Sequence, residues 1–260
     1  MVAHAPIILA FHKVRRGRGW DHTNIQPSRL TSILSALDGR GYRFTSLQSV
    51  VATPNPRQIA LTFDDGYAHL AETLLPICEQ FRARPTLFIP AGYIGKSNRW
   101  DYTGRFAPEQ HLSQSQIRSL AEAGFEIGSH GWSHRPLTQP ATARLAEELG
   151  NSKRLLEDIS GRPVRSISYP FGRLDQRMVR LARSAGYTTG VTTNWISAGA
   201  DCLALGRIIT YGFDTPFSVL QKLEGRLAWL EKLKQSIATS LSAGTGLYQR
   251  ISGHARGDRI

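Results

Sequence analysis

Cysteine is scarce in this chain. Two thiols in 260 residues, Cys78 and Cys202, are too few for a disulfide framework and exclude the small scaffolds that depend on one. Cys78 falls in an apolar helical pattern and reads as core. Long apolar runs are missing too: none approaches the ~20 residues that a membrane-spanning helix needs. The first apolar run, residues 6–11, has no basic segment before it and is short for a leader core. This form therefore reads as cytoplasmic, or as periplasmic or cell-surface had a leader been removed. No internal repeat or low-complexity tract is present, which excludes repeat architectures. Acidic residues are outnumbered, 20 Asp and Glu against 32 Lys and Arg, for a net charge of +12. Such a charge favours acidic partners. The basic residues are scattered, however, and aromatics do not interleave with them as in a nucleic-acid-binding stripe. A solvated basic surface is expected, not a nucleic-acid partner.

What is present is a core. Apolar residues make up 41%, enough to fill one barrel-sized domain or two small ones. Short apolar runs at 7–11, 42–44, 59–63, 86–89, 125–128, 164–169, 187–191 and 203–210 read as strands. Helical spacing occupies 28–37, 68–82, 113–123, 142–159 and 175–185. Strands alternating with helices imply a parallel sheet, and seven or eight such units close a barrel. Residues 1–215 are expected to form it. A long helix is expected over 216–241, so that 216–243 packs on the barrel or serves a subunit contact. Residues 244–260 read as a flexible basic tail. The segment 91–112 carries Tyr93, Trp100, Tyr102 and Phe106, and long loops in compact domains are often functional.

The chemistry concentrates at two stretches. Leu61-Thr62-Phe63-Asp64-Asp65-Gly66-Tyr67 is an apolar run that stops at two adjacent carboxylates and a glycine. Neighbouring side chains on a strand point to opposite faces; Gly66 adopts backbone angles closed to other residues and lets the chain turn to aim both acids at one place. On the dipeptide alone, an Asp-Gly turn is the plainer reading. Gly128-Ser129-His130-Gly131-Trp132-Ser133-His134 follows another short strand and supplies two imidazoles. Two histidines and one carboxylate on a divalent metal leave positions open for water and substrate. His12, Asp64, Asp65, His130, Phe171 and Trp195 all fall at or just past the C-terminal ends of expected strands, the face where barrel active sites are built.

These residues resemble the polysaccharide deacetylases, the family 4 carbohydrate esterases, over roughly residues 5–212. Thr62-Phe63-Asp64-Asp65-Gly66 looks like their first motif. His130-Gly131-Trp132-Ser133-His134 looks like the second, with Gly131 where Ser or Thr is usual. The resemblance implies a distorted (β/α) barrel of about seven parallel strands with its active site at the C-terminal strand ends. It implies Asp64 as general base and Asp65, His130 and His134 as ligands of a divalent ion, most readily Zn2+, with Co2+ or Ni2+ also accepted by such a site. The usual C-terminal histidine motif is absent. Leu9-Ala10-Phe11-His12-Lys13-Val14 is similar instead to the N-terminal strand of permuted members such as the poly-N-acetylglucosamine deacetylases. That makes His12 the general acid, against a plain structural hydrogen bond. Ser168 stands where the third motif usually has an arginine that orients the base; Arg207 either replaces it or is a surface arginine. The Phe171 N–H is the implied oxyanion donor, Trp195 a wall of the acetyl pocket, and Tyr67 a groove-lining residue, although Phe171 and Trp195 also suit plain core. His69 reads as a packed or solvated histidine.

The expected function is removal of N-acetyl groups from an N-acetylated sugar, polysaccharide or sugar precursor. A hydrolase of another small or cyclic amide on this fold, and a barrel that binds glycans without catalysis, stay open. The oligomeric state is not legible.

Overall fold

The structure, a computed structural model, describes residues 5–17, 21–98, 108–138, 141–193 and 201–226. Its elements in chain order are β1 (Ile7–Phe11), β2 (Lys13–Val14), β3 (Asn24–Ile25), α1 (Pro27–Asp38), β4 (Arg43–Thr45), α2 (Leu47–Ala52), β5 (Gln58–Phe63), α3 (Leu70–Phe81), β6 (Thr86–Ile89) and α4 (Gln114–Glu122). There follow β7 (Glu126–Ser129), α5 (Thr142–Ser160), β8 (Ser166–Ser168), α6 (Gln176–Ser184), β9 (Thr189–Thr192), β10 (Leu205–Gly206), β11 (Ile208–Ile209) and α7 (Pro216–Leu223).

The apolar runs become strands because both of their faces are covered, as in parallel sheets. The main sheet runs β10-β9-β8-β7-β6-β5-β1-β11, with β4 beside β5, and the pairs are parallel. Its two ends belong to one stretch of chain. Leu205 and Gly206 pair with β9, while Ile208 and Ile209 pair with β1. Residues 205–209 thus span the seam and close the barrel, with Arg207 at the join. Counted as one staff, this closing stretch makes seven parallel strands around the ring, as expected.

The helices lie outside, each burying one apolar face: Leu30, Ile33, Leu34 and Leu37 of α1, for example, or Leu145, Leu149, Leu156 and Ile159 of α5. The barrel interior holds a second cluster, Ile8, Ala60, Phe88, Val191 and Leu205, joined by Leu47 and Val50 of α2. That short helix, which apolar periodicity did not foretell, plugs the N-terminal mouth. The Leu47 N–H donates to Thr86 Oγ1 at 2.9 Å, and Gln48 Nε2 donates to Ser166 and Thr189 hydroxyls at 2.8 Å. With that end closed, the C-terminal ends form the face left for a site.

Only the first part of the helix expected over 216–241 lies among the described residues, and it breaks after one short helix. α7 stops at Leu223, and Gly225 turns the chain with φ +71°. α7 packs against α1 through buried Val219 and Leu220. Leu227, Leu230, Leu233, Ile237 and the basic tail lie outside the described residues. Among the described residues, no helix is long and apolar enough to cross a membrane.

A Cβ at Gly128 of β7 would stand 2.6 Å from two ring carbons of Phe88 and 3.2 Å from the Ser166 carbonyl oxygen. Gly128→Ala is expected to destabilise the fold by about 1–3 kcal/mol through overpacking, read as a lower midpoint in urea denaturation. An unchanged midpoint would mean that the interior is looser than described.

Candidate active site

Three strand ends deliver the acidic and imidazole groups. β5 ends at Phe63, so Asp64 and Asp65 follow at its mouth. β1 runs beside it with Phe11 opposite Phe63, and the Asp64 N–H donates to the Phe11 carbonyl at 2.9 Å. His12 therefore stands next to Asp64 across the ladder. It is half-buried, and its charge reaches both Asp64 and Asp65. β7 ends at Ser129 and hands on to His130.

Asp65 turns sharply away from its neighbour. Its φ is +69°, left-handed for a residue with a Cβ, and Gly66 continues the turn at +58°. The described non-glycine residues with positive φ are Asp65, His134, Phe171 and Arg82. Arg82 caps α3; the other three meet here. Strained backbone of this kind persists where the surroundings over-determine it. The Asp65 carbonyl accepts from His111 Nδ1 at 2.7 Å, which pins the turn. Gly131, in the second motif, has φ +74°, a conformation that accounts for glycine where a hydroxyl residue is usual.

The result is a buried cluster. One ligand atom each from Asp65, His130 and His134 lies within 4.8 Å of the others. His130 Nε2 is 3.5 Å and His134 Nε2 3.0 Å from Asp65 Oδ1. The His130 tautomer follows from its other nitrogen. Nδ1 lies 2.7 Å from the Ser168 carbonyl, which only accepts, so Nδ1 carries the proton and Nε2 points a lone pair at Asp65. Two acceptors facing one another in a buried site call for a cation between them. An imidazole anchored through one nitrogen with the other directed at a carboxylate is the arrangement of metal-ligating histidines. The donor set thus fits a divalent metal ion. Burial opposes ionisation of Asp65, yet its two imidazole neighbours, His130 and His134, hold its carboxyl well below the usual range. Burial pulls His134 down, whereas for His130 the same burial is outweighed by Asp64 and Asp65, which raise it.

Asp64 has a different partner. It is 2% exposed and receives a fork from Arg207: Nη1 to Oδ1 at 2.8 Å and Nη2 to Oδ2 at 2.6 Å. Arg207 is 1% exposed, so it is no surface residue. Its Nη1 also donates to Thr62 Oγ1 at 3.1 Å and its Nη2 to Ser168 Oγ at 3.0 Å, while the Ser168 hydroxyl donates to Asp64 Oδ2 at 3.2 Å. Burial raises the Asp64 carboxyl, but the Arg207 and His130 charges prevail and set it at about 2. The arginine missing from position 168 on β8 is replaced by Arg207 from the seam two strands along, and the Ser168 hydroxyl bonds to both charges.

The remaining expected residues divide. The Phe171 ring sits edge-on to His134 at 5.3 Å, in a turn with φ +61°. Trp195 lies outside the described residues, as does 99–107 with Trp100, Tyr102 and Phe106. Tyr67 corrects its expectation. It is 1% exposed, and its ring is stacked between His69 at 5.7 Å and His111 at 5.2 Å. Lys13 Nζ stands 4.7 Å over the same ring. Tyr67 supports the site from beneath and, at 1% exposure, presents no face to a groove among the described residues. Lys13, next to His12, is tied to Asp21 at 2.7 Å and Glu109 at 2.5 Å, which anchors the strand end that carries His12. His69 is packed, and burial lowers it to about 4.

Two supporting residues carried no recognised signal. His111 holds Asp65, as above. Glu148 of α5, 2% exposed, accepts the Trp132 and Ser133 N–H groups at 3.1 and 3.0 Å and so shapes the loop between the two histidines. Its only trace in the sequence is its place three residues after Leu145, on the buried side of α5.

Comparisons with known proteins bear on the family and the fold. The protein YxkH of Bacillus subtilis (strain 168) is 26% identical over 200 residues, covering 75% of this chain and 66% of its own length. The poly-beta-1,6-N-acetyl-D-glucosamine N-deacetylase of Staphylococcus aureus (strain MRSA252) is 22% identical over 143 residues, 52% of this chain and 47% of that protein. The chain thus spans about two thirds and about half of these relatives. The solved structure of Streptococcus pyogenes deacetylase PplD in complex with acetate superposes with a TM-score of 0.73 at 22% identity, over 85% of this chain and 99% of that one; it shares the fold. Residues 52–190 match the family described as polysaccharide deacetylase, more than half of the chain, and the protein belongs to that family.

Proposed function

We propose that this protein is a metal-dependent hydrolase that removes the N-acetyl group from an N-acetylated sugar or polysaccharide. The observation that carries the reading is the pairing at one barrel mouth of a buried carboxylate fixed by an arginine, Asp64, with the Asp65, His130 and His134 cluster. The Staphylococcus aureus relative is named for an N-acetylated glucosamine polymer, which supports this substrate class.

Asp65, His130 and His134 would hold the ion, for which zinc is the first choice and cobalt or nickel are acceptable to the same donors. When bound, such an ion supplies an acidified water and a Lewis acid for the acetamide carbonyl. Asp64 accepts a proton at a carboxylate oxygen. The Arg207 fork keeps it ionised and holds its plane still, so its lone pairs present one direction. The Phe171 N–H, in its left-handed turn beside His134, donates to the carbonyl oxygen as negative charge develops there; one such donor is typically worth about 3–4 kcal/mol. The leaving nitrogen departs as a neutral amine, so it needs a proton. His12, across the ladder from Asp64, gives it.

A barrel that binds glycans but has lost catalysis drew its support from the arginine absent at the third motif and the aspartate absent before Trp195, a segment partly outside the described residues. With Arg207 on Asp64, the first of these supports goes. Hydrolysis of another small or cyclic amide would use the same groups, and a panel of amide substrates separates it from sugar deacetylation. The screen is acetate release from N-acetylated sugars and oligomers by metal-loaded protein; no release from any of them would overturn the substrate class.

Asp65→Ala and His130→Ala are expected to lose bound metal and activity together. Asp64→Asn and His12→Ala should each lose about two to four orders of magnitude in turnover, typical of a proton-transfer residue, while retaining the metal. Metal content is measured by mass spectrometry on folded protein, since an unpaired Arg207 in Asp64→Asn costs stability. Metal loss in Asp64→Asn would exchange the roles assigned to the two acids, and full turnover by His12→Ala would remove it as the acid.

Arg207→Met should shift the pH profile. In the parent, the stabilising effect of Asp64 ionisation is full above the ordinary carboxyl value of 3.8 and is lost as pH falls toward about 2. Without the guanidinium, burial is opposed only by the weaker pull of the neighbouring histidines, and the carboxyl rises. The acid limb of kcat/KM then moves to higher pH, with a stability loss of about 3–5 kcal/mol. A destabilised variant with an unmoved acid limb would reduce Arg207 to a structural residue.

A further inference from the structure

Phe213 is 56% exposed, yet the turn that carries it is held firmly. The turn begins where β11 leaves β1, with the Thr210 N–H on the Ala10 carbonyl at 2.9 Å. Asp214 closes it: its Oδ2 accepts the Tyr211 N–H at 2.8 Å, and its own N–H donates to the Tyr211 carbonyl at 2.9 Å. Lys222 of α7 locks Asp214 through an ion pair of 2.6 Å in which both side chains are 1% exposed. On the other side, the Gly212 N–H donates to the His22 carbonyl at 2.8 Å, and any Cβ at Gly212 would overlap the Asn24 carbonyl oxygen. A buried ion pair and a glycine-only approach are costly devices for an ordinary surface turn. Their effect is to fix one aromatic ring facing solvent.

That ring belongs to a small stack. Phe213 lies 5.3 Å from Tyr211 at an interplanar angle of 10°, and Tyr211 lies 5.9 Å from the ring of His22. His22 is exposed, and the ladder sets Ile209 beside Ala10, so Tyr211, two positions further on, comes level with His12. The stack therefore starts beside the acid of the reaction and runs outward along the β1 and β11 side of the mouth. An aromatic face carries partial negative charge, which suits the C–H face of a pyranose; His22 adds a polar edge for hydroxyl groups. Tyr211 is 4% exposed, so the surface offered is the Phe213 ring, the size of a sugar unit and not of a protein partner.

Resting on the deacetylase reading above, we infer that Phe213, backed by Tyr211 and edged by His22, is a sugar-stacking subsite for the unit next to the one that is deacetylated. It makes the enzyme prefer an oligomer to a single sugar. The fixed turn limits the ordering cost of binding.

The test uses N-acetylglucosamine and its β-1,4- and β-1,6-linked tetramers. Tetramer binding is measured by calorimetry with metal-loaded Asp64→Asn protein, so that no turnover intervenes. Adding Phe213→Ala should weaken tetramer binding about tenfold, as expected for losing one aromatic contact, and Phe213→Trp should restore it. In the active enzyme, Phe213→Ala should raise KM more for the tetramer than for the single sugar. Equal tetramer affinity with and without the Phe213 ring, or no binding of either tetramer, overturns the subsite. Phe213-dependent binding with no acetate released by the parent enzyme would keep the subsite and overturn the deacetylase reading.

Discussion

Two consecutive carboxylates, Asp64 and Asp65, are buried at 2% and 6% exposure, and the rest of the site answers to that constraint. Taking one ionised carboxylate out of water costs several kcal/mol unless it is paired and hydrogen-bonded. Two in succession need two separate sets of positive or donor groups. The left-handed backbone of Asp65 separates the two side chains, so that each meets its own. Asp64 meets a guanidinium. Asp65 meets two imidazoles whose geometry calls for a cation. The motif thus buries two charges side by side with separate partners; in the proposed mechanism one accepts protons and the other grips an ion.

Barrel closure is what makes the first assignment work. Residues 205–209 pair with β9 on one side and β1 on the other, and Arg207 sits at that seam with its side chain directed at Asp64. A barrel left open there would lose both the staff and the base's counter-ion. Fold stability and the ionisation of Asp64 are therefore coupled through one residue. The same seam leads directly into the turn of Tyr211, Gly212, Phe213 and Asp214. The stretch that completes the ring, orients the base and displays the aromatic stack is continuous in sequence.

Much of this was legible from the chain. The strands β1, β5, β6 and β7 are short apolar runs with clear stops, and Asp64, Asp65, His130 and His134 sit in contiguous motifs directly after two of them. Local pattern is enough for such features. Arg207 was readable only as one of two alternatives, because its role depends on closure of the ring between segments far apart in sequence. Glu148 and His111 act on backbone groups of distant loops and leave no local mark. Tyr67 was misplaced for a related reason: alternation along a strand does not extend through a turn at Gly66. The helix over 216–241 followed apolar spacing past a stop at Gly225, where φ is +71°. The short α2 was missed because its contacts, with Thr86, Ser166 and Thr189, are made across the barrel floor.

The central claim is that Asp65, His130 and His134 share one ion while Asp64 stands beside it on Arg207. Anomalous diffraction from crystals grown with zinc tests this most directly. The account predicts a single anomalous peak within bonding distance of an Asp65 oxygen and both histidine Nε2 atoms, with both Asp64 oxygens still held by the guanidinium. No peak at that point, or a peak ligated by Asp64 in place of Asp65, would contradict it.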